Sequence, residues 1–350
     1  MTPNDKIGSS IWHDNPETYL VIKAVWSSII STFYPFSFFC VLKKSPENFG
    51  SLKWFLLLHL ICISISWVAN FLLIDYFYFV STLVVRIDGF LTYFMDSWTL
   101  YQISYITYGI SLSSSQLIFC NRVFLIVNMY QTWKSPKQKF FEVFVYIFVG
   151  FLPLATVPVV WKLTPNQQRA KEAIVNNFKI YPECIFEDNS VIICNPINNC
   201  GIYLAIMNLL NVVISTSIIF SATHIAYKLL SKRMLLKSEK TKKMHKKFNQ
   251  RTFLQAIVVF LFAMFPLFLA NIALLLDWNI ECLSYIIDFL RESQPNASLL
   301  TLFLFYDPYQ LYMITVLRCV GKRVKTSVLM VKSAKVSVDA KSVVPTFVNR

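Results

Sequence analysis

Seven apolar stretches separated by short polar segments organise this 350-residue chain. A helix needs roughly 20 residues to cross a bilayer, and each stretch supplies at least that many. We predict spanning helices at about 19–42, 54–79, 98–130, 140–161, 201–230, 252–278 and 297–317. Residues 1–18 form an N-terminal segment without the pattern of a signal peptide, and residues 318–350 form a tail. The pattern therefore predicts an all-α membrane protein, a bundle of seven transmembrane helices.

The third stretch is the one around which the others are expected to pack. It contains no proline, and Arg122 is its only charged residue. Its first half carries the aromatic and amide side chains of Trp98, Gln102 and Tyr105, and its middle is rich in serine. A helix with a polar outer half and one cation near its inner end can line a pocket and report its occupancy across the membrane. We interpret it as the central helix of a receptor.

Composition supports a membrane protein. Hydrophobic residues make up 55% of the chain and charged residues 15%, below the roughly 25% of soluble domains. The net charge of +14 would suggest nucleic acid as a partner, but the charges are confined to the segments between apolar stretches. That distribution is typical of membrane topology, so we expect membrane lipid and no nucleic acid as a partner.

Lysine and arginine determine the expected orientation. They are concentrated after the first, third and fifth stretches and in the tail. The positive-inside rule places these segments in the cytoplasm and the N-terminus outside, as in a multi-pass plasma-membrane protein. The segment 231–250, SKRMLLKSEKTKKMHKKFNQ, is the most basic. This segment can anchor the topology at anionic lipid, provide a surface for an acidic partner, or do both.

Four cysteines fall in segments expected outside, where disulfides persist: Cys184, Cys194, Cys200 and Cys282. Their pairing is open from the sequence, and our expectation is that Cys184 closes onto Cys194 or Cys200. No histidine accompanies them, so we expect no metal site. The sequon at Asn296 lies so close to the seventh stretch that we expect it to carry no glycan.

Catalytic patterns are missing from the sequence. None of the four histidines lies beside a nucleophile or carboxylate in a recognisable arrangement, and there is no HExxH motif. We therefore expect neither an enzyme nor a cofactor.

A ligand pocket is predicted where polar and aromatic residues gather in the outer halves of the helices. The candidate residues are Trp98, Gln102, Tyr105, Asn208, Asn211 and Asn271. Together they suggest an apolar cavity with a few polar anchors, suited to a small organic molecule. Alternatively, these amides only join helices through interhelical hydrogen bonds.

Two ionisable residues are expected deep in the membrane, Arg122 and Asp307. Such groups are costly in lipid and usually mark function. Arg122 could instead extend to the inner phosphates, and Asp307, which precedes Pro308, could serve only a water-filled kink. Pro266 permits a hinge in the sixth helix. Lys23, near the start of the first helix, is expected to extend to the headgroups.

Several segments resemble the nematode serpentine chemoreceptors, and most closely class H of the Str superfamily. They are SPENFGSLKWFLLLHL (45–60), QLIFCNRVFLI (116–126), YPECIF (181–186), KTKKMHKKFNQRTFLQAIVVFLFAMFP (240–266) and FYDPYQLYMITVLRCVGKRVK (305–325). The last is similar to the Asp-Pro ending of the superfamily, here Asp307 and Pro308, followed by a basic segment.

The resemblance implies a rhodopsin-like G-protein-coupled receptor in the cilia of chemosensory neurons, sensing odorants or other small molecules. By this analogy Arg122 restrains the inner ends of the helices at rest. Relatives more often carry an acidic residue where this chain has Cys120, so the usual local partner of Arg122 is missing. Met264 stands two residues before Pro266, where a tryptophan would be needed for a tryptophan toggle.

Three other functions are compatible with seven spans. A ligand-gated channel of the odour-sensing kind would place its N-terminus in the cytoplasm, against the distribution of lysine and arginine. A transporter would be expected to show more ionisable groups at mid-membrane and an internal repeat. A diverged receptor that couples to no G protein and only chaperones or pairs with others is the third possibility.

Overall fold

The computed structural model describes residues 17–80, 83–128, 135–162, 165–177, 183–194, 200–233, 239–276, 278 and 281–319. Most of the predicted N-terminal segment and tail lies outside these residues.

Seven long helices, numbered first to seventh along the chain, make up most of the described fold, and several consist of two or three pieces. The pieces are Glu17–Ser31 and Phe33–Lys43; Ser51–Trp67 and Val68–Ile74; Ser97–Asn128; Pro136–Phe151, Leu152–Leu154 and Val157–Lys162; Cys200–Arg233; Glu239–Val259, Phe260–Met264 and Phe265–Leu275; and Glu281–Glu292, Gln294–Phe305 and 307–319. Between the fourth and fifth lies a short helix, Gln167–Asn177, which we call the lid helix.

Helix boundaries follow local chemistry. Ser135 and Gln138 form a capping box ahead of the fourth helix, with Pro136 in its first turn. Asp96 accepts hydrogen bonds from the backbone N–H and the hydroxyl of Thr99 at the start of the third helix, and these bonds lower its pKa.

Among the described residues, six helices are long and apolar enough to cross a membrane. The seventh is interrupted at Ser293 and at Tyr306, which is extended (φ −113°, ψ 108°). Pro308 then stands in the first turn of the final piece, where its missing N–H requires no partner. This helix begins at Glu281, well before the predicted start at residue 297.

A small antiparallel sheet is the exception to the all-α prediction. Its strands are β1 (Tyr76–Phe79), β2 (Val84–Ile87) and β3 (Ser190–Ile192), in the order β1-β2-β3. The prediction that the second helix continues to residue 79 is corrected here. Asp75 takes a positive φ of 35°, which ends the helix, and the alternating residues that follow pair with β2.

The sheet covers one end of the bundle. Residues facing the helices, such as Tyr76 and Val85, pack with Leu100 and Tyr101 of the third helix. Residues on the other face pack beneath the lid helix, and they include Phe77, Phe79, Val84 and Ile192. We call this end of the bundle the sheet end, and the opposite end, where Lys247 and Arg251 lie, the basic end.

The third helix is the most buried of the six, with 67% of its apolar stretch buried against 44% for the second and less for the others. The fourth helix exposes large apolar side chains such as Phe140, Phe144 and Phe151. An apolar belt of this kind is stable only against lipid, so the bundle has a central third helix and a lipid-facing perimeter.

Candidate functional site

Three of the predicted pocket residues meet between the third, fourth and fifth helices. The hydroxyl of Tyr105 lies 2.6 Å from that of Thr156 and donates to Asn208 Oδ1 at 3.2 Å. Asn211 Nδ2 donates to the backbone oxygen of Leu152 at 3.3 Å. They border a cavity of about 50 Å³ whose apolar wall includes Leu112. The arrangement is a small apolar cavity with polar anchors, and its amides also join helices.

The other three predicted pocket residues lie elsewhere. Trp98 packs against Tyr101, with ring centroids 5.7 Å apart. Gln102 is partly buried, and its Nε2 has no hydrogen-bond partner in the described part of the chain. Asn271 donates to the backbone oxygen of Leu267 in its own helix, at 2.5 Å.

A buried ionic cluster at the sheet end was missed at the sequence level. Lys23 Nζ lies 2.6 Å from Asp75 Oδ1 and 2.7 Å from Glu292 Oε2. Arg291 Nη2 lies 2.6 Å from Asp288 Oδ1. The cluster joins the first, second and seventh helices beneath β1.

The prediction that Lys23 extends to the headgroups is therefore wrong. Its side chain is 4% exposed because two carboxylates hold it inside the bundle. Lys23 and Asp75 both fall within predicted spans. Ionisable residues are costly at such positions, so their presence could have indicated that they pair inside the bundle. Glu292 was assigned to the loop before the predicted seventh span, so it was not recognised as a partner of Lys23.

The serine-rich middle of the third helix is buried and connects neighbouring helices. Ser114 Oγ lies 2.8 Å from His59 Nδ1 of the second helix. Ser111 donates to Gln294 Oε1 of the seventh helix at 2.9 Å. These bonds make the third helix a common partner of both neighbours.

Arg122 lies on the third helix toward the basic end and is 4% exposed. Its guanidinium donates to Thr252 Oγ1 at 3.1 Å and to Gln255 Oε1 at 2.6 Å, both on the sixth helix. It also donates to the hydroxyl of Tyr306 and lies over the Phe119 ring, 5.6 Å from its centroid. Residue 120 is a cysteine and supplies no carboxylate, so neutral oxygens and aromatic rings surround the guanidinium instead. Through these contacts Arg122 bridges the third, sixth and seventh helices.

Asp307 is not deep in the membrane-spanning region, contrary to the prediction. Its side chain is 49% exposed at the basic end and pairs with Arg251 at 2.5 Å and Lys247 at 3.0 Å. The prediction failed because the seventh helix begins at Glu281. At 1.5 Å per residue, Asp307 lies about 39 Å further along, beyond a hydrocarbon core of about 30 Å.

The sixth helix has a weak point close to the small cavity. It changes from α- to π-helix over Phe260–Met264, directly before the piece that contains Pro266. Tyr108 of the third helix donates to the backbone oxygen of Ala263 at 3.0 Å. A π-helical turn and a proline are both recognised sites of bending, so this segment can change its angle at modest cost.

Cys194 and Cys200 form the disulfide, with their Cα atoms 6.0 Å apart. The prediction that Cys184 closes this loop is wrong: Cys184 is a free thiol, and burial raises its pKa. Cys282 is free and exposed. Asn296 is fully buried and accepts a hydrogen bond from Tyr34 at 3.3 Å, so this fold leaves no room for a glycan there.

Comparison with known proteins gives one family. The model described as "Serpentine type 7TM GPCR chemoreceptor Srh" matches residues 14–319, most of the chain. No curated protein matches the chain.

Proposed function

The chain belongs to the serpentine type 7TM GPCR chemoreceptor Srh family, and on that premise we propose that it detects a small, odorant-like molecule and activates a heterotrimeric G protein. The sheet end would face outside and the basic end the cytoplasm, in a rhodopsin-like bundle. Its site of action would be the plasma membrane of sensory-neuron cilia. The distribution of lysine and arginine supports this orientation.

The ligand would bind in the outer half of the bundle, near the cavity bordered by Tyr105, Asn208 and Asn211. Binding favours the state to which the ligand binds more tightly. We take that state to be one in which the sixth helix bends at Pro266. Tyr108 connects the cavity to this segment because it borders the cavity and its hydroxyl donates to the backbone oxygen of Ala263.

The observation that carries the proposal is the position of Arg122. Its bonds to Thr252, Gln255 and Tyr306 hold the sixth and seventh helices against the third at the end that would face the G protein. An outward movement of the sixth helix breaks the first two bonds. Breaking them opens the inner face and frees the arginine for the partner.

In a reporter cell, Arg122→Ala should abolish ligand-evoked second-messenger signalling while the receptor still reaches the surface. The readout is the second-messenger response to an odorant mixture that activates the unaltered receptor, together with surface labelling. Lys139→Ala removes an exposed cation of the fourth helix near the same end and should leave the response unchanged. An unchanged response of the Arg122 variant would remove the role assigned to this residue.

A further inference from the structure

The ionic cluster at the sheet end contains one more carboxylate than it has cations. Its charged members in the described chain are Lys23, Asp75, Asp288, Arg291 and Glu292. Arg291 is paired with Asp288, and Lys23 is shared between Asp75 and Glu292. With all five ionised, the cluster therefore retains one negative charge. Isolated buried charge is costly, so the site favours neutralisation, either by a proton or by an additional cation.

The acceptor for that cation is one oxygen of Glu292. Its Oε2 contacts Lys23, but Oε1 is buried and has no hydrogen-bond partner among the described residues. The Glu292 side chain is only 7% exposed. A buried acceptor without a donor is rare in folded proteins and indicates a missing partner.

Glu292 also borders a small cavity. Glu292 and Arg291 border a cavity of about 10 Å³ that is also lined by Ser27, Ser66, Tyr76 and Tyr108. This volume holds one water-sized group, which is the size of an ammonium head. The serine hydroxyls offer further acceptors.

Tyr108 lies between this cavity and the larger one near Tyr105, because it borders both. The larger cavity has an apolar wall that includes Leu112 and Val212. A molecule with a charged head and a short hydrocarbon chain could thus occupy both cavities when Tyr108 moves aside. Such a movement would disturb the bond from Tyr108 to Ala263 in the sixth helix.

We propose that the Glu292 cavity binds the ammonium head of a small primary alkylamine, with the hydrocarbon chain directed past Tyr108. This assignment rests on the proposed receptor function and names its ligand class. Glu292 accepts the ammonium hydrogen bond through Oε1, and Lys23 keeps Oε2. The added cation brings the cluster to neutrality.

The test is thermal unfolding of the purified full-length receptor with primary alkylamines of one to six carbons at neutral pH, each paired with the alcohol of equal length. A ligand that binds only the folded state raises Tm. At least one amine should raise Tm by roughly 3 °C or more at saturation, while its paired alcohol should not. Equal shifts for amine and alcohol, no shift with any amine, or stabilisation by sodium chloride alone would overturn the proposal.

Single-residue variants test whether the rise in Tm comes from amine bound at Glu292. Glu292→Gln keeps the size of the side chain but removes its charge, and should abolish the amine shift. Asp307→Asn removes a half-exposed carboxylate at the basic end, outside this cluster, and should retain the shift. Ser27→Val fills the cavity without changing any charge and should also abolish the shift, which provides a test if Glu292→Gln fails to fold. Amine stabilisation that persists in Ser27→Val or in folded Glu292→Gln contradicts the assignment.

The result is separable from that of the signalling assay. Thermal stabilisation requires no G protein, so amine binding can stand even if Arg122→Ala leaves signalling unchanged. Conversely, a receptor that signals through Arg122 but is not stabilised by amines loses only the ligand assignment.

Discussion

Arg122 and Asp307 both hold the sixth helix, but with different strength and in different surroundings. Arg122 is buried and bonds to neutral oxygens, so its loss leaves buried partners unsatisfied. Asp307 is half exposed and pairs with two cations at the basic end. Water screens such pairs, which are typically worth about 0.2–1 kcal/mol each. Asp307 is therefore the residue whose removal shifts the helix without unfolding the receptor.

Asp307→Asn should raise basal signalling. The variant weakens the contacts of Lys247 and Arg251 with the seventh helix, by about 1 kcal/mol in total after screening. A change of that size increases the population of a minor open state about five-fold. The measurement is ligand-free second-messenger level, normalised to the amount of receptor at the surface.

The matched control is Glu239→Gln. Glu239 pairs with Lys242 at 2.8 Å within the same helix, so this pair cannot join two helices. Its loss should leave basal signalling unchanged. Equal basal levels in Asp307→Asn and in the unaltered receptor would show that the pairing with Asp307 does not restrain the sixth helix.

The residue-level predictions failed where the partner is distant in sequence. Lys23 was expected at the headgroups because it lies near the start of the first helix, but its partner Glu292 lies 269 positions later in the chain. The depth of Asp307 was misjudged because the polar start of the seventh helix reads as a loop. Arg122 was recognised from its isolation in an apolar stretch, but its three partners depend on packing that the sequence does not display.

At the scale of elements, Gly89 holds the sheet against the end of the second helix. Its N–H donates to the backbone oxygen of Ile74 at 2.9 Å. A Cβ at this position would lie 2.3 Å from the backbone carbon of Ile74 and 2.4 Å from the backbone oxygen of Leu73. Backbone atoms cannot move aside as a flexible side chain can, so only glycine allows this close approach.

Gly89→Ala should destabilise the receptor by about 1–3 kcal/mol, the usual cost of overpacking. The expected result is a Tm lower by roughly 3–10 °C in thermal unfolding of the purified protein. Gly150→Ala is the control, because the nearest atom to its added Cβ is Leu117 Cδ1 at 4.0 Å. Equal Tm values for Gly89→Ala and Gly150→Ala would show that the backbone near residue 89 shifts without a cost in stability.

The sheet could not be predicted from the hydropathy pattern. The residues of β1 continue an apolar stretch and extend the predicted second helix, although aromatic residues such as these are common in strands. The other edge of β2 pairs with β3, which lies about a hundred residues later in the chain. No local sequence pattern indicates this pairing. The long helices could be predicted from the sequence because a run of about twenty apolar residues by itself indicates a membrane-spanning helix.

At the scale of the whole molecule, the two ends of the bundle are chemically distinct. The sheet end is covered by β1–β3 and the lid helix and contains the ionic cluster. The basic end contains Arg251, Lys247 and their partner Asp307. A receptor needs this polarity, because ligand and G protein approach from opposite sides of the membrane. The proposed receptor function therefore requires the sheet end to face outward.

Two exposed free cysteines mark the ends of the seventh helix, Cys282 in its first turn at the sheet end and Cys319 in its last turn at the basic end. The free thiols of Cys40, Cys62, Cys120 and Cys184 are buried. Burial also raises the pKa of Cys184, which lowers its thiolate fraction at neutral pH. A thiol reagent should thus distinguish the two ends of the bundle.

The most direct test is labelling of intact cells with a membrane-impermeant maleimide, using Cys282→Ser and Cys319→Ser variants to identify the labelled site. We expect labelling of Cys282 in intact cells and of Cys319 only after permeabilisation. Labelling of Cys319 in intact cells, with Cys282 reached only after permeabilisation, would invert the bundle and contradict the receptor function.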